Sequence, residues 1–177
     1  MFLKPETAQL KSRNPFFIPS FANEFHHEIE VLVKICKVGK NIEERFAHRY
    51  YEEIGVGIDF TARDLQDELK KKGQPWEKAK GFDSSAFISE FVPKENFKDL
   101  QNLDFHLDIN GVLRQKGNTQ DMIFSIDFLI SYLSKYFTLK TGDIIFTGTP
   151  AGVGRVETDD VLDLYLEDQL MAQCRIK

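Results

Sequence analysis

Apolar and polar residues alternate with period two in several stretches of this 177-residue chain, and each stretch predicts a β-strand. Leu103, Phe105, Leu107 and Ile109 alternate with Asp104, His106 and Asp108. Asn110-Gly111 then offers a two-residue type I′ turn into a second strand over 112–117. Ile29, Val31 and Val33 alternate with Glu28, Glu30 and Leu32, which predicts a strand over 26–38 that ends at Gly39. The run Ile54-Gly55-Val56-Gly57-Ile58-Asp59-Phe60 reads as another strand, 142–147 as a buried one, and 160–177 as two more around a turn near Asp168. Helical spacing of Ile42, Phe46 and Tyr50 predicts a helix over 42–53 capped by Asn41. Thr61 and Asp64 have capping-box spacing for a second helix, stopped by Gly73. Ile126, Leu129, Ile130 and Leu133 mark a third, with Ser125 as its cap. Residues 1–25, broken by Pro5, Pro15 and Pro19, read as an irregular lead-in to one domain over 26–177. Strands outnumber helices and hairpins join some of them, so the expected fold class is α+β.

Composition narrows the partners. The chain is 42% hydrophobic and 29% charged, as soluble globular proteins are. A net charge of −5 argues against nucleic acid or an anionic membrane as the main partner. Sixteen Phe suit a packed interior or a dimer interface. Cys36 and Cys174 form no metal or redox motif and are expected to be free, buried thiols of a reducing, cytoplasmic compartment. No apolar run reaches transmembrane length, and the first 25 residues hold charges rather than a secretion signal.

Candidate chemistry starts with Glu28 and Glu30. Two apart on a strand, they share a face with Cα atoms about 7 Å apart. Carboxylates this close repel unless a cation lies between them, and Mg²⁺ prefers such oxygens. The octapeptide also reads as a solvated edge strand with two surface glutamates. Asp59 ends a strand just before a helix, as functional carboxylates and simple caps both do. Lys80 stands between Trp76 and Phe82, either desolvated by the rings or snorkelling to solvent. Gly55 and Gly57 suggest close backbone packing or a nearby ligand. The glycine-rich stretch 148–154 lacks the lysine of a phosphate-binding loop; it is a tight turn or a set of N–H donors facing a carboxylate.

Several motifs occur together and in order: Glu28-Ile29-Glu30; Gly57-Ile58-Asp59-Phe60-Thr61-Ala62-Arg63-Asp64; Trp76 with Lys80-Gly81-Phe82; Asn110-Gly111 with Gln115; and 142–154 with Thr147-Gly148-Thr149-Pro150. Over about residues 2–177 the chain resembles the fumarylacetoacetate hydrolase family, in its acylpyruvate hydrolase and oxaloacetate decarboxylase branch. The resemblance implies a β-rich fold with a rolled mixed sheet and a few flanking helices. It implies that Glu28, Glu30 and Asp59 hold Mg²⁺ or Mn²⁺, and that Lys80 binds and polarises the substrate. It also implies that Arg63 and Gln66 line the pocket, that Thr149 binds a pyruvoyl carboxylate, and that the protein is a homodimer. The implied activity is hydrolysis of acylpyruvates to pyruvate and a carboxylate. Oxaloacetate decarboxylation, keto–enol tautomerisation, or metal binding without turnover are the alternatives. The family's hydrolases activate water with a His–Glu pair in a segment preceding Phe2-Leu3-Lys4-Pro5, and this sequence begins at Met1. His26 and His27 adjoin the acidic strand, but at most one of them can face the site.

Overall fold

The computed structural model describes residues 1–11 and 13–177. In chain order the strands and α-helices are β1 (Gln9–Lys11), β2 (Phe25–His27), β3 (Ile29–Ile35), α1 (Glu44–Ala47), β4 (Tyr51–Asp59), β5 (Thr61–Ala62), α2 (Arg63–Lys71), α3 (Glu77–Lys80), β6 (Ala86–Ile88), β7 (Val92–Pro93), β8 (Asp104–Ile109), β9 (Val112–Asn118), α4 (Ile126–Ser134), β10 (Ile144–Phe146), β11 (Gly154–Arg155), β12 (Val161–Leu166) and β13 (Gln169–Arg175). The largest sheet has the order β1-β6-β4-β3-β10, with β7 paired to β4. It is mixed, because β1 runs parallel to β6 while the other pairs are antiparallel. A three-stranded sheet β11-β2-β5 and an antiparallel sheet β13-β12-β8-β9 complete a curled, β-rich α+β fold.

The strands at the centre are buried on both faces, which is why period two alone understates them. Ile29, Val31 and Val33 are fully enclosed, and so is Leu32 on the face assigned to polar residues. The predicted strand 26–38 is two strands: the ladder breaks at Glu28, whose carbonyl accepts Asp59 N–H at 2.9 Å, and β3 ends at Ile35. Asn110 and Gly111 have φ of 53° and 75°, as a type I′ turn requires, and β8 and β9 form the expected hairpin. Ser125 Oγ accepts Phe128 N–H at 3.0 Å and caps α4. Gly73, at φ +61°, ends α2.

Three local expectations fail because tertiary contacts outrank them. The helix over 42–53 shrinks to the single turn α1, since residues from Tyr51 onward join β4 against β3; Asn41, at φ 51°, turns the chain instead of capping it. Thr61 does not cap α2, because it pairs with His26 in β5 and its hydroxyl is engaged elsewhere; Ala62 occupies the cap position. Residues 1–25 are less irregular than expected: β1 adds to the main sheet, and Phe16 stacks on Phe60 at 3.8 Å within a cluster that includes Phe25, Phe82 and Phe21. Cys174 is buried but Cys36 is only half-buried.

Gly57 pairs with Glu30 across β3 and β4. A Cβ there would lie 2.4 Å from Phe87 O and 2.7 Å from Leu32 Cδ1. Gly57→Ala is therefore expected to destabilise the protein by about 3 kcal/mol, lowering Tm by roughly 6–12 °C, as thermal denaturation will show.

Candidate metal centre

The register of β3 on β4 builds the site. Ile29 opposes Ile58 and Glu30 opposes Gly57, so Glu28, Glu30 and Asp59 share one face of the pair. Glycine opposite Glu30 leaves space that a side chain would fill. Oxygens of the three carboxylates lie within 4.8 Å of one another, and all three residues are buried. The sequence's two readings of these residues are thereby separated: they do not form a solvated edge.

Lysines enter this acidic cage from two directions. Lys80, the last residue of α3, is 3% exposed. Its Nζ donates to Glu28 Oε2 at 2.8 Å, Asp59 Oδ2 at 2.7 Å and Thr61 Oγ1 at 2.6 Å. Burial rather than snorkelling is the outcome, and the ring beside Nζ is Phe2, at 5.3 Å; Trp76 instead carries Lys70. Lys4, from the lead-in, lies 2.7 Å from Asp59 Oδ1 and hydrogen-bonds Lys80 O and Ser85 Oγ. That ammonium is the partner of Asp59 Oδ1, an oxygen otherwise buried. Arg63, on the first turn of α2, pairs through Nη2 with Glu28 Oε1 and through Nη1 with Gln66 Oε1 at 2.6 Å. On the far side, Gly148 N–H donates to Glu30 Oε2 at 2.6 Å. The 148–154 loop therefore does aim a backbone donor at a carboxylate, one belonging to the protein itself.

The three carboxyls differ in their electrostatic surroundings. Burial pushes the Glu30 carboxyl up to about 8, with Asp59 and Glu28 adding to the effect against Gly148 N–H and Lys80. Burial also raises Glu28, but Lys80 and Arg63 outweigh it and hold that carboxyl below its usual range. Burial lowers the Lys4 ammonium, against the pull of Asp59. Three buried carboxylates whose oxygens converge, one of them resisting ionisation, fit an oxygen cage for a hard divalent cation. Because a bound ion must displace the Glu30 proton, its affinity is expected to rise about tenfold per pH unit from pH 6 to 8 and then level off. The sign for the metal-free fold is opposite. With its pKa raised above the unfolded value, Glu30 favours the fold at low pH, and that contribution fades as pH climbs from about 4.5 to 8. Calorimetric titration with Mn²⁺ and metal-free melting curves across this range test both.

Of the residues expected from the sequence, Glu28, Glu30, Asp59, Lys80 and Arg63 meet at one point, and Gln66 joins through Arg63. Thr149 stands beyond Glu30, where Oγ1 donates to Ile29 O at 2.8 Å. His26 Nδ1 faces Arg63 Nε at 3.4 Å and His27 Nδ1 faces Gln115 at 3.1 Å, so neither imidazole joins the carboxylates. Lys4, Thr61 and Ser85 were not foreseen. Thr61 and Ser85 bond near neighbours in sequence, Asp59 O and Lys80 O, but nothing in the residues marks those bonds, and Lys4 reaches the site only through contacts distant along the chain.

Residues 1–176 match the fumarylacetoacetate (FAA) hydrolase C-terminal family. The chain belongs to the fumarylacetoacetate hydrolase family. Among curated relatives, oxaloacetate tautomerase FAHD1, mitochondrial, of Bos taurus is 44% identical over 177 residues, covering all of this chain and 80% of that protein. Oxaloacetate tautomerase YcgM of Escherichia coli is 47% identical over 168 residues, 94% of this chain and 77% of that protein. Among solved structures, fumarylpyruvate hydrolase from Pseudomonas aeruginosa in complex with Mn²⁺ and pyruvate superposes with a TM-score of 0.93 at 33% identity, covering 99% of this chain and 77% of that one. Members of the family thus include tautomerases and hydrolases. No helix among the described residues is long and apolar enough to cross a membrane.

Proposed function

We propose that this chain is a divalent-metal-dependent keto–enol tautomerase of a small 2-oxo dicarboxylic acid of the oxaloacetate type. The observation that carries the reading is the buried carboxylate cage closed by the Lys80 ammonium. Glu28, Glu30 and Asp59 would hold Mg²⁺ or Mn²⁺. Such an ion supplies positive charge for a 2-oxo oxygen and the neighbouring carboxylate. Tautomerisation moves one proton between C3 and the C2 oxygen; no bond between heavy atoms breaks and no water is consumed. Lys80, its Nζ held by Glu28, Asp59 and Thr61, would carry that proton. Arg63 keeps Glu28 ionised and oriented. The Thr149 loop would receive the carboxylate, and Phe2 covers the lysine side. Names of the relatives at 44% and 47% identity support the substrate class.

C–C hydrolysis of acylpyruvates, first in the sequence reading, is the second reading, favoured by the likeness to the Mn²⁺–pyruvate complex. It needs a base for water, and both histidines beside the acidic strand are engaged elsewhere. Decay of the enol absorbance of oxaloacetate with Mn²⁺ decides for tautomerase. Pyruvate release from acetylpyruvate without enol turnover decides for hydrolase, and CO₂ release from oxaloacetate marks decarboxylation.

The proposed partner is a second copy of the chain. Phe124, Phe128, Tyr132 and Tyr136 form a row along α4 and just past its ends, at centroid spacings of 4.7, 6.1 and 5.3 Å, the last pair tilted, beside Ile123, which is 90% exposed. Aromatic side chains offer about 150–250 Å² each when wholly exposed; with Phe124, Tyr132 and Tyr136 about half-exposed and Ile123 beside them, the patch supplies roughly half of the ~800 Å² that one side of a standard interface buries. The native mass by light scattering is expected to be that of a dimer, and Phe124→Lys with Tyr136→Lys is expected to yield monomer.

A further inference from the structure

β9 is built inside out. Val112 and Leu113 are exposed, whereas Gln115, at 1% exposure, is buried. The cause is a register shift: Leu107 pairs with Gln115 and Asp108 with Leu113, so Arg114 is bulged and the next side chain is aimed inward. Burying an amide is costly unless all its groups are satisfied, and here they are. Oε1 accepts Ile29 N–H at 3.1 Å and faces His27 Nδ1 at 3.1 Å. Nε2 donates to Thr149 Oγ1 at 2.7 Å and Pro150 O at 2.9 Å.

These bonds lie where the backbone ladder stops. β10 pairs with β3 only as far as Leu32 opposite Phe146. Beyond it one backbone bond remains, Thr147 N–H to Val31 O at 3.2 Å, and side chains finish the edge of the acidic strand: Thr147 Oγ1 donates to Val31 O at 2.9 Å, and Thr149 Oγ1 to Ile29 O at 2.8 Å. Gln115 takes the Ile29 N–H and grips the loop on its other side. The loop returns so closely that a Cβ on Gly152 would lie 3.0 Å from Arg114 O and 3.3 Å from Gln115 Cγ. One amide thus joins Ile29, between Glu28 and Glu30, to the loop that would take the substrate carboxylate.

We infer that Gln115 is a positioning residue: it sets Thr149 and Pro150 relative to the metal strand, and so sets the distance between the cation site and the carboxylate subsite. The inference rests on the proposed function, through its assignment of the loop. Gln115→Glu keeps both acceptor bonds and removes both donations to the loop; Gln115→Met removes all four without added charge. In Mn²⁺-loaded protein, both variants are expected to bind oxalate about tenfold more weakly or worse, with a matching rise in KM for oxaloacetate. Mn²⁺ affinity without oxalate and kcat are expected to stay within about threefold of wild type. Unchanged oxalate affinity in a folded variant overturns the inference, and so does parallel loss of Mn²⁺ and oxalate binding, which marks a purely structural role. Should neither variant fold, the wild type decides: the Gln115 side-chain amide resonances should shift when oxalate is added to Mg²⁺-loaded protein, and no shift overturns the inference. Failure of metal-loaded wild type to bind oxalate at all would instead sink the proposed function.

Discussion

Glu30→Gln is expected to make the metal-free protein more stable while destroying its metal site. The wild-type carboxyl is buried beside Asp59 and Glu28, and the surroundings push it up to about 8. At pH 8 the wild type must either ionise it in place or hold a proton against solution. Glutamine removes that conflict and still accepts Gly148 N–H. Metal-free Tm at pH 8 is therefore expected to rise by about 5 °C, corresponding to about 2 kcal/mol. Loss of one of three anionic ligands weakens Mn²⁺ binding about 100-fold or more, and turnover falls with it. Melting curves and Mn²⁺ titration read the two effects separately. A variant that melts lower than wild type without metal would show that Glu30 contributes to the fold as an ionised partner.

Lys80→Met is expected to separate chemistry from metal binding. The Lys80 ammonium lies between Glu28 Oε2 and Asp59 Oδ2, two oxygens that a cation would claim. Removing it leaves those oxygens to the ion, so Mn²⁺ should bind at least as tightly. The proton carrier is lost, and turnover should fall about 10²–10⁴-fold. Arginine, with its bulk and fixed charge, should not restore it. Without metal, the variant should melt below wild type, because two buried carboxylates lose a partner, and Mn²⁺ should recover most of that loss. Tautomerase assays with saturating Mn²⁺, beside melts with and without it, test the split. Retention of full activity would remove Lys80 from the mechanism.

Alternation set Glu28 and Glu30 on one face, a signal local to one strand; that Asp59 joins them was implied only by the family resemblance, because the pairing of two strands is not written in either one. The Asn110-Gly111 hairpin and the Ser125 cap were legible, since turn and cap chemistry are fixed by neighbours in sequence. The helix over 42–53 was not, because its apolar spacing serves the core equally well once residues from Tyr51 are drawn into β4. Thr61 has the right spacing for a cap, but strand pairing and the Lys80 ammonium take it first. Local flanks of Lys80 did not name the ring beside its ammonium, which is Phe2, 78 positions away in sequence. Lys4 gave no sign at all, as its partners Asp59, Lys80 and Ser85 are joined to it only by the fold. Gln115 stood in a family motif, yet its inward aim depends on a bulge that alternation cannot reveal.

Anomalous diffraction from a crystal soaked in Mn²⁺ and oxalate tests the metal centre most directly. One manganese peak is expected within about 2.0–2.2 Å of oxygens from Glu28, Glu30 and Asp59, with oxalate on its open side and Lys80 Nζ withdrawn from between Glu28 and Asp59. Manganese bound elsewhere, or the three carboxylates still closed on Lys80 and Lys4 at saturating Mn²⁺, would contradict it.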